Sequence, residues 1–124
     1  MTQGSLDRAV VVTGASTGIG AAAVAKAVRE GAHVFASVRK QADAEALKAQ
    51  FGEAVDVADE AGVRAGADQV AAALGQRRLF GLVNNAGIAV PGPLLYLDSD
   101  ELRRQFEVNL FGVHNVTRAF APLL

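Results

Sequence analysis

Short apolar runs alternate with amphipathic stretches along the chain. Val10-Val11-Val12, preceded by Ala9 and closed by Thr13-Gly14, reads as a buried strand. Gly18 to Glu30 reads as a helix whose alanines allow close packing on a sheet, and Gly31 is its expected left-handed stop. His33–Val38 is the second expected strand. A short helix over Gln41–Gln50 follows, with Gly52 after it, and then a third strand over Ala54–Val57. Asp59 is the expected N-cap of the next helix. That helix carries Val63, Ala67, Val70 and Leu74 on one face and ends at Gly75. Leu79–Val83 is the fourth expected strand, running into Asn84-Asn85-Ala86-Gly87. After a loop containing Pro91-Gly92-Pro93, Asp98 and Glu101 have capping-box spacing at the start of a long helix towards Leu124. Leu102, Phe106, Val113 and Val116 mark its expected buried face, and Asn109 falls on the same face.

Strands that alternate with helices indicate a parallel sheet with right-handed crossovers. The expected fold is α/β: a Rossmann-type, doubly wound sheet of about four strands, in the order 3-2-1-4, with helices on both faces. Thr13–Gly20 and Asn84–Gly87 then meet at the carboxyl ends of neighbouring strands, one and four. The whole chain, 1–124, reads as one dinucleotide-binding domain.

Composition removes several alternatives. Of the 124 residues, 51% are hydrophobic, enough for a core, and the formal net charge is −1. The basic residues are scattered and form no stripe interleaved with aromatics, so nucleic acid is not an expected partner. With no cysteine, neither a disulfide framework nor a thiolate metal site is possible. His33 and His114 lack ligand spacing, and no metal is expected. The first residues show no signal-peptide pattern, and no apolar run is long enough to span a bilayer. The expected location is the cytoplasm.

The glycine loop carries the chemistry. Gly14, Gly18 and Gly20 allow a tight turn and close backbone approach to a pyrophosphate. The helix that follows turns its free N–H groups and positive dipole end towards that anion. The spacing is G-x-x-x-G-x-G, not G-x-G-x-x-G. In sites for the non-phosphorylated dinucleotide, an acid roughly 20 residues beyond the loop accepts from the ribose. Here Val38 stands at that position and Arg39 follows. A guanidinium suits a 2′-phosphate, so NADP(H) is favoured over NAD(H).

These residues resemble the short-chain dehydrogenase/reductase family. The likeness rests on Thr13-Gly14-x-x-x-Gly18-x-Gly20, on Asn84-Asn85-Ala86-Gly87 and on Asn109 within Phe106-Glu107-Val108-Asn109-Leu110, and runs from about Leu6 to Leu124. It implies that Ser16, Thr17 and Ile19 line the cofactor loop and that Asp56 and Val57 meet the adenine. It further implies that Asn84 and Asn85 hold the fourth strand's end against the ribose, while Ala86 and Gly87 leave room beside it. Asn109 is the implied catalytic-side residue, holding a water in a proton relay; a structural amide bonded to nearby backbone is the alternative. The implied reaction is hydride transfer between NADP(H) and a small alcohol or carbonyl compound.

The family's serine and Tyr-x-x-x-Lys are not found. The only tyrosine, Tyr96, is followed four residues later by Asp100, and the last lysine is Lys48. The chain is therefore expected to be the cofactor-binding half of such an enzyme, incomplete relative to the family and inactive alone. The alternative is a non-catalytic dinucleotide-binding or interaction module. Without the rest of such an enzyme, the last helix is expected to expose Phe111, Val113, Phe120 and Leu123, which normally meet other helices, and the fourth strand an unpaired edge; both are expected to support a homo-oligomer.

Overall fold

A computed structural model describes residues 4–59 and 62–124. Four parallel strands form one sheet: β1 (Ser5–Val12), β2 (Ala32–Val38), β3 (Val55–Asp59) and β4 (Gly81–Val83), in the order β3-β2-β1-β4. The helices between them are α1 (Gly18–Arg29), α2 (Gln41–Phe51) and α3 (Val63–Leu74). This is the expected strand order, and β4 is an edge strand that pairs with β1.

Alternation along the strands builds two separate cores. Val12, Val34, Ala36, Val38 and Val55 face Val24 of α1 and Ala44 and Leu47 of α2. Ala9, Val11 and Phe35 point the other way, towards Ala67, Val70 and Leu74 of α3. Each strand of a doubly wound sheet must be apolar on both faces, which is why β2 reads as a continuous buried run.

Element ends differ from the sequence reading where backbone pairing, not side-chain pattern, sets them. β1 begins at Ser5, because the polar stretch before Ala9 joins the sheet through a shifted register with β2. Ala54 closes a single 3-10 turn, and β3 starts one residue later. Leu79 and Phe80 precede the β4 ladder, although their N–H groups bond to the carbonyls of Leu123 and Ala9. Asp59 ends β3, and Gly62 occupies the cap position of α3. The Asp59 side chain lies outside the described residues. Asp98 accepts from Asp100 N–H at 2.9 Å, one residue earlier than a capping box requires.

The long C-terminal helix is broken. α4 (Ser99–Phe106) passes into a π-helical stretch over Glu107–Gly112, then into α5 (Val113–Phe120) and a 3-10 turn. A wider i→i+5 turn shifts the helical phase, so a stripe drawn at regular α spacing does not stay on one side. Leu102 and Phe106 are exposed, whereas Val113 and Val116 are half-buried. Phe120, expected at the surface, is 4% exposed and anchors α5 in the α3 core. Phe106, Leu110 and Phe111 remain on the outside.

Candidate active site: the cofactor crevice

The ends of β1 and β4 are tied together by Thr13. Its Oγ1 accepts from the N–H groups of Asn85 and Ala86, each at 3.0 Å, and donates to the Val83 carbonyl at 3.4 Å. Thr13 N–H also donates to that carbonyl, at 3.0 Å. Asn85 returns the contact, with Nδ2 donating to the Thr13 carbonyl at 3.2 Å and to the Gly14 carbonyl at 3.0 Å. On the other side, Ala15 N–H reaches the Ser37 carbonyl of β2. The loop is thus pinned to both neighbouring strands before α1 begins.

Two glycines make this approach possible. Gly14 has φ +61, and a Cβ there would lie 2.8 Å from the Ala86 Cα. At Gly20 a Cβ would collide with the Gly14 carbonyl oxygen and lie 2.5 Å from Asn85 Nδ2. The loop therefore folds back onto the first turn of α1 with no room for a side chain.

The start of α1 stays open. Thr17 is its N-cap residue but makes no side-chain cap bond, and the first turn carries no acid. Nothing lies within 4 Å of a Cβ built on Gly18. Ser16 is half-buried, Thr17 and Gly18 are exposed, and Ile19 is 81% exposed, an unusual setting for so large an apolar residue.

Beside this loop lies a cavity of about 720 Å³ at the carboxyl ends of the strands. Its lining is mostly apolar, from Val11, Val38, Ala58, Val63, Val113 and Val116. Thr13, Arg39, Asn84, Ala86, Glu107 and Asn115 add polar or backbone contacts. Asn84 Nδ2 donates to Thr117 Oγ1 at 3.1 Å, which joins the β4 end to α5, and Thr117 itself donates to the Val113 carbonyl.

Asp56 and Val57 are not brought to this cavity. Asp56 pairs in register with Phe35, three residues before β3 ends. Its Oδ2 accepts from His33 Nε2 at 2.9 Å and its Oδ1 from Lys48 Nζ at 2.6 Å. An ionised carboxylate only accepts, so Nε2 of His33 carries the hydrogen. Burial alone would raise the Asp56 carboxyl, but the Lys48 ammonium and the His33 ring together hold it below the usual carboxylate value. Val57 packs against the core beneath α1 and α2.

Asn109 sits in the π-helical stretch, and its amide bonds to one backbone residue in both directions. Oδ1 accepts from Ile88 N–H at 2.9 Å, and Nδ2 donates to the Ile88 carbonyl at 2.8 Å. A Cβ on Gly87 would lie 3.1 Å from that Oδ1. Gln105, one turn earlier, repeats the arrangement on Val90. It accepts from Val90 N–H at 3.1 Å and donates to the Val90 carbonyl at 3.3 Å. Two amides therefore hold alternate residues of the loop after β4.

The sequence reading did not single out Gln105, Thr117 or the Thr13 hydroxyl as site residues. For Gln105 the available signal was its amide four residues before Asn109. For Thr13 it was a hydroxyl at the strand-to-glycine junction. Among the described residues no group of three acidic or histidine side chains could hold a metal.

Comparison with known proteins fits this geometry. The sequence profile described as short chain dehydrogenase matches residues 8–124. This chain belongs to the short-chain dehydrogenase family. The NADPH-dependent 3-dehydrocapnine reductase of Ornithobacterium rhinotracheale is 37% identical over 122 residues, covering 94% of this chain and 43% of the relative. Dehydrogenase/reductase SDR family member 9 of Homo sapiens is 35% identical, covering 95% of this chain and 39% of the relative. Among solved structures, a double mutant of a Serratia marcescens short-chain dehydrogenase/reductase superposes with a TM-score of 0.83 at 31% identity. The match covers 99% of this chain and 52% of that structure. The chain thus spans less than half the length of these curated relatives. No helix among the described residues is long and apolar enough to cross a membrane.

Proposed function

We propose that this chain is the cofactor-binding portion of an NADP(H)-dependent oxidoreductase that interconverts an alcohol and a carbonyl compound. The observation that carries the cofactor choice is Arg39, which follows β2 directly and lines the cavity. A guanidinium there attracts a 2′-phosphate with planar, paired donors, whereas a carboxylate would repel it.

The residues present fit a dinucleotide. The uncapped start of α1 offers backbone N–H groups and the positive dipole end to a pyrophosphate, over a loop that excludes side chains. Gly14, Ser16, Thr17, Gly18, Ile19 and Gly20 form this cradle, with Asn84, Asn85, Ala86 and Gly87 as the facing wall. The name of the Ornithobacterium rhinotracheale relative points to the same cofactor. When bound, the nicotinamide supplies or accepts the hydride. The chain's own residues bind and orient it. The paired bonds to Ile88 support a positioning part for Asn109 at the catalytic end: it fixes the backbone beside Gly87.

The 124 residues alone are proposed not to transfer hydride. Tyr-x-x-x-Lys is missing, and the sole tyrosine, Tyr96, is 85% exposed outside the cavity. The same observation favours a second reading, a non-catalytic dinucleotide-binding or interaction module. Both readings predict no turnover by the purified chain. We further propose a cytoplasmic homo-oligomer, supported by the exposed Phe106, Leu110 and Phe111 and by the edge strand β4. Fluorescence titration with NADPH and NADH tests the cofactor reading, and equal affinities would defeat it.

A further inference from the structure

The Thr117 hydroxyl carries a single hydrogen and stands between two polar groups. Its Oγ1 lies 2.7 Å from the Val113 carbonyl, one turn earlier in α5, and 3.1 Å from Asn84 Nδ2 at the end of β4. A carbonyl oxygen has no hydrogen to give, so the hydroxyl hydrogen goes to Val113, the back-bond that threonine makes within helices. The hydroxyl oxygen is then an acceptor for Asn84. An amide turns its NH₂ towards an acceptor and its oxygen away from it. The orientation of the Asn84 side chain is therefore set from α5, by Thr117.

This orientation matters because Asn84 lines the cavity and Thr117 does not. With Nδ2 held by α5, the end of the amide left for a ligand is Oδ1, an uncharged acceptor. Asn85, the next residue, is bonded to the Thr13 and Gly14 carbonyls of the glycine loop, so Asn84 stands beside the cradle proposed for the pyrophosphate. In a dinucleotide the groups that flank the pyrophosphate are the two riboses. Their hydroxyls donate, whereas the phosphate oxygens only accept. A carbonyl oxygen at this place bonds the hydroxyl and not the phosphate; a reversed amide would offer donors to both.

We infer that Thr117 is a positioning residue for the dinucleotide: through Asn84 it presents Oδ1 as a fixed acceptor for a ribose hydroxyl. This rests on the dinucleotide reading above, but not on the choice between NADP(H) and NAD(H), since both carry ribose hydroxyls beside the pyrophosphate.

The test is a double-mutant cycle on NADPH affinity, read by fluorescence titration of the purified chain. Thr117→Val keeps the shape and removes the hydroxyl, so the Asn84 amide loses its fixed orientation and affinity should fall about threefold to tenfold. Thr117→Ser keeps the hydroxyl and should stay within about twofold of the wild type. In an Asn84→Ala background, Thr117→Val should change affinity by less than about twofold, because Thr117 then has nothing to position. Thr117 is exposed on a helix, so the replacements fold, which circular dichroism checks; Thr117→Ala is a second variant without the hydroxyl and favours helix. An affinity unchanged in Thr117→Val, or a loss of the same size in the Asn84→Ala background, overturns the inference; the second result is what a general loosening of α5 would give. Equal affinities of the wild type for NADPH and NADH would defeat the choice of cofactor and leave this inference standing. Failure to bind either dinucleotide overturns both.

Discussion

Thr13 and Asn85 hold each other in both directions: Asn85 N–H donates to Thr13 Oγ1 at 3.0 Å, and Asn85 Nδ2 donates to the Thr13 carbonyl at 3.2 Å. The pair closes the end of β4 onto the end of β1. Thr13 is 5% exposed, so its two N–H partners have no easy access to water. Thr13→Val keeps the shape, removes the acceptor and strands the Ala86 N–H, while the Asn85 N–H keeps its 3.1 Å bond to the Val83 carbonyl. The expected cost is about 1–3 kcal/mol by urea unfolding. Thr13→Ser keeps the acceptor and should lose much less. Equal stability of the valine and wild-type chains would show that the hydroxyl is not the tie.

Gly20 and Gly75 separate two reasons for glycine. Gly75 has φ +61 with nothing within 4 Å of a Cβ, so Gly75→Ala should cost about 1–2 kcal/mol of backbone strain and leave dinucleotide binding unchanged. At Gly20 the obstacle is the Gly14 backbone, which cannot turn aside as a flexible side chain would. Gly20→Ala should be the less stable variant in thermal unfolding and should lose binding. Normal binding by Gly20→Ala would contradict the geometry of the cradle.

Gln105 and Asn109 act on different residues of one loop, so their effects should separate. Gln105→Ala should speed amide exchange at Val90 by about threefold to tenfold, the range expected for one or two modest hydrogen bonds, while Ile88 keeps its protection. Asn109→Ala should do the reverse. Residue-resolved exchange by NMR distinguishes the two patterns. Joint loss of protection in either variant would mean that the loop opens as one unit.

Much of this site was legible in the sequence because it is built from local features. The glycine spacing fixes the turn after β1, and Asn84–Gly87 fixes its neighbour at the end of β4. The order of strands and helices then brings the two together. What the sequence did not reveal depends on register and on helix phase. Asp56 looked like a strand-end residue, but β3 runs on to Asp59, and His33 and Lys48 take up its carboxylate. Phe120 is expected at the surface when the last helix lacks the helices it normally meets, yet it lies four residues after Val116 on the same face, and α3 covers that face within this chain. The π-helical stretch instead separates Leu102 and Phe106 from Val113 and Val116. The strand register and the π stretch have no local signature in composition or periodicity.

The Asp56 contacts carry a pH dependence with a definite sign. A carboxyl held below its ordinary value contributes stability above the unfolded-state value of about 3.9. That contribution is lost as pH falls through the folded-state value. Asp56→Asn should therefore destabilise the chain at neutral pH by up to about 1 kcal/mol, the scale of a partly exposed ion pair, and should flatten the acid limb of the stability profile. Unfolding midpoints measured from about pH 7 down to about pH 3 check this. An unchanged acid limb in the variant would show that Asp56 contributes nothing to the acid sensitivity.

Selection of NADP(H) by Arg39 is tested by fluorescence titration of the wild type and of Arg39→Asp with NADPH and with NADH. The wild type should bind NADPH tighter by about tenfold, or about 1.4 kcal/mol, and the aspartate variant should reverse the order by repelling the 2′-phosphate and accepting from the ribose. Equal affinities in the wild type, or an order unchanged in Arg39→Asp, would contradict it.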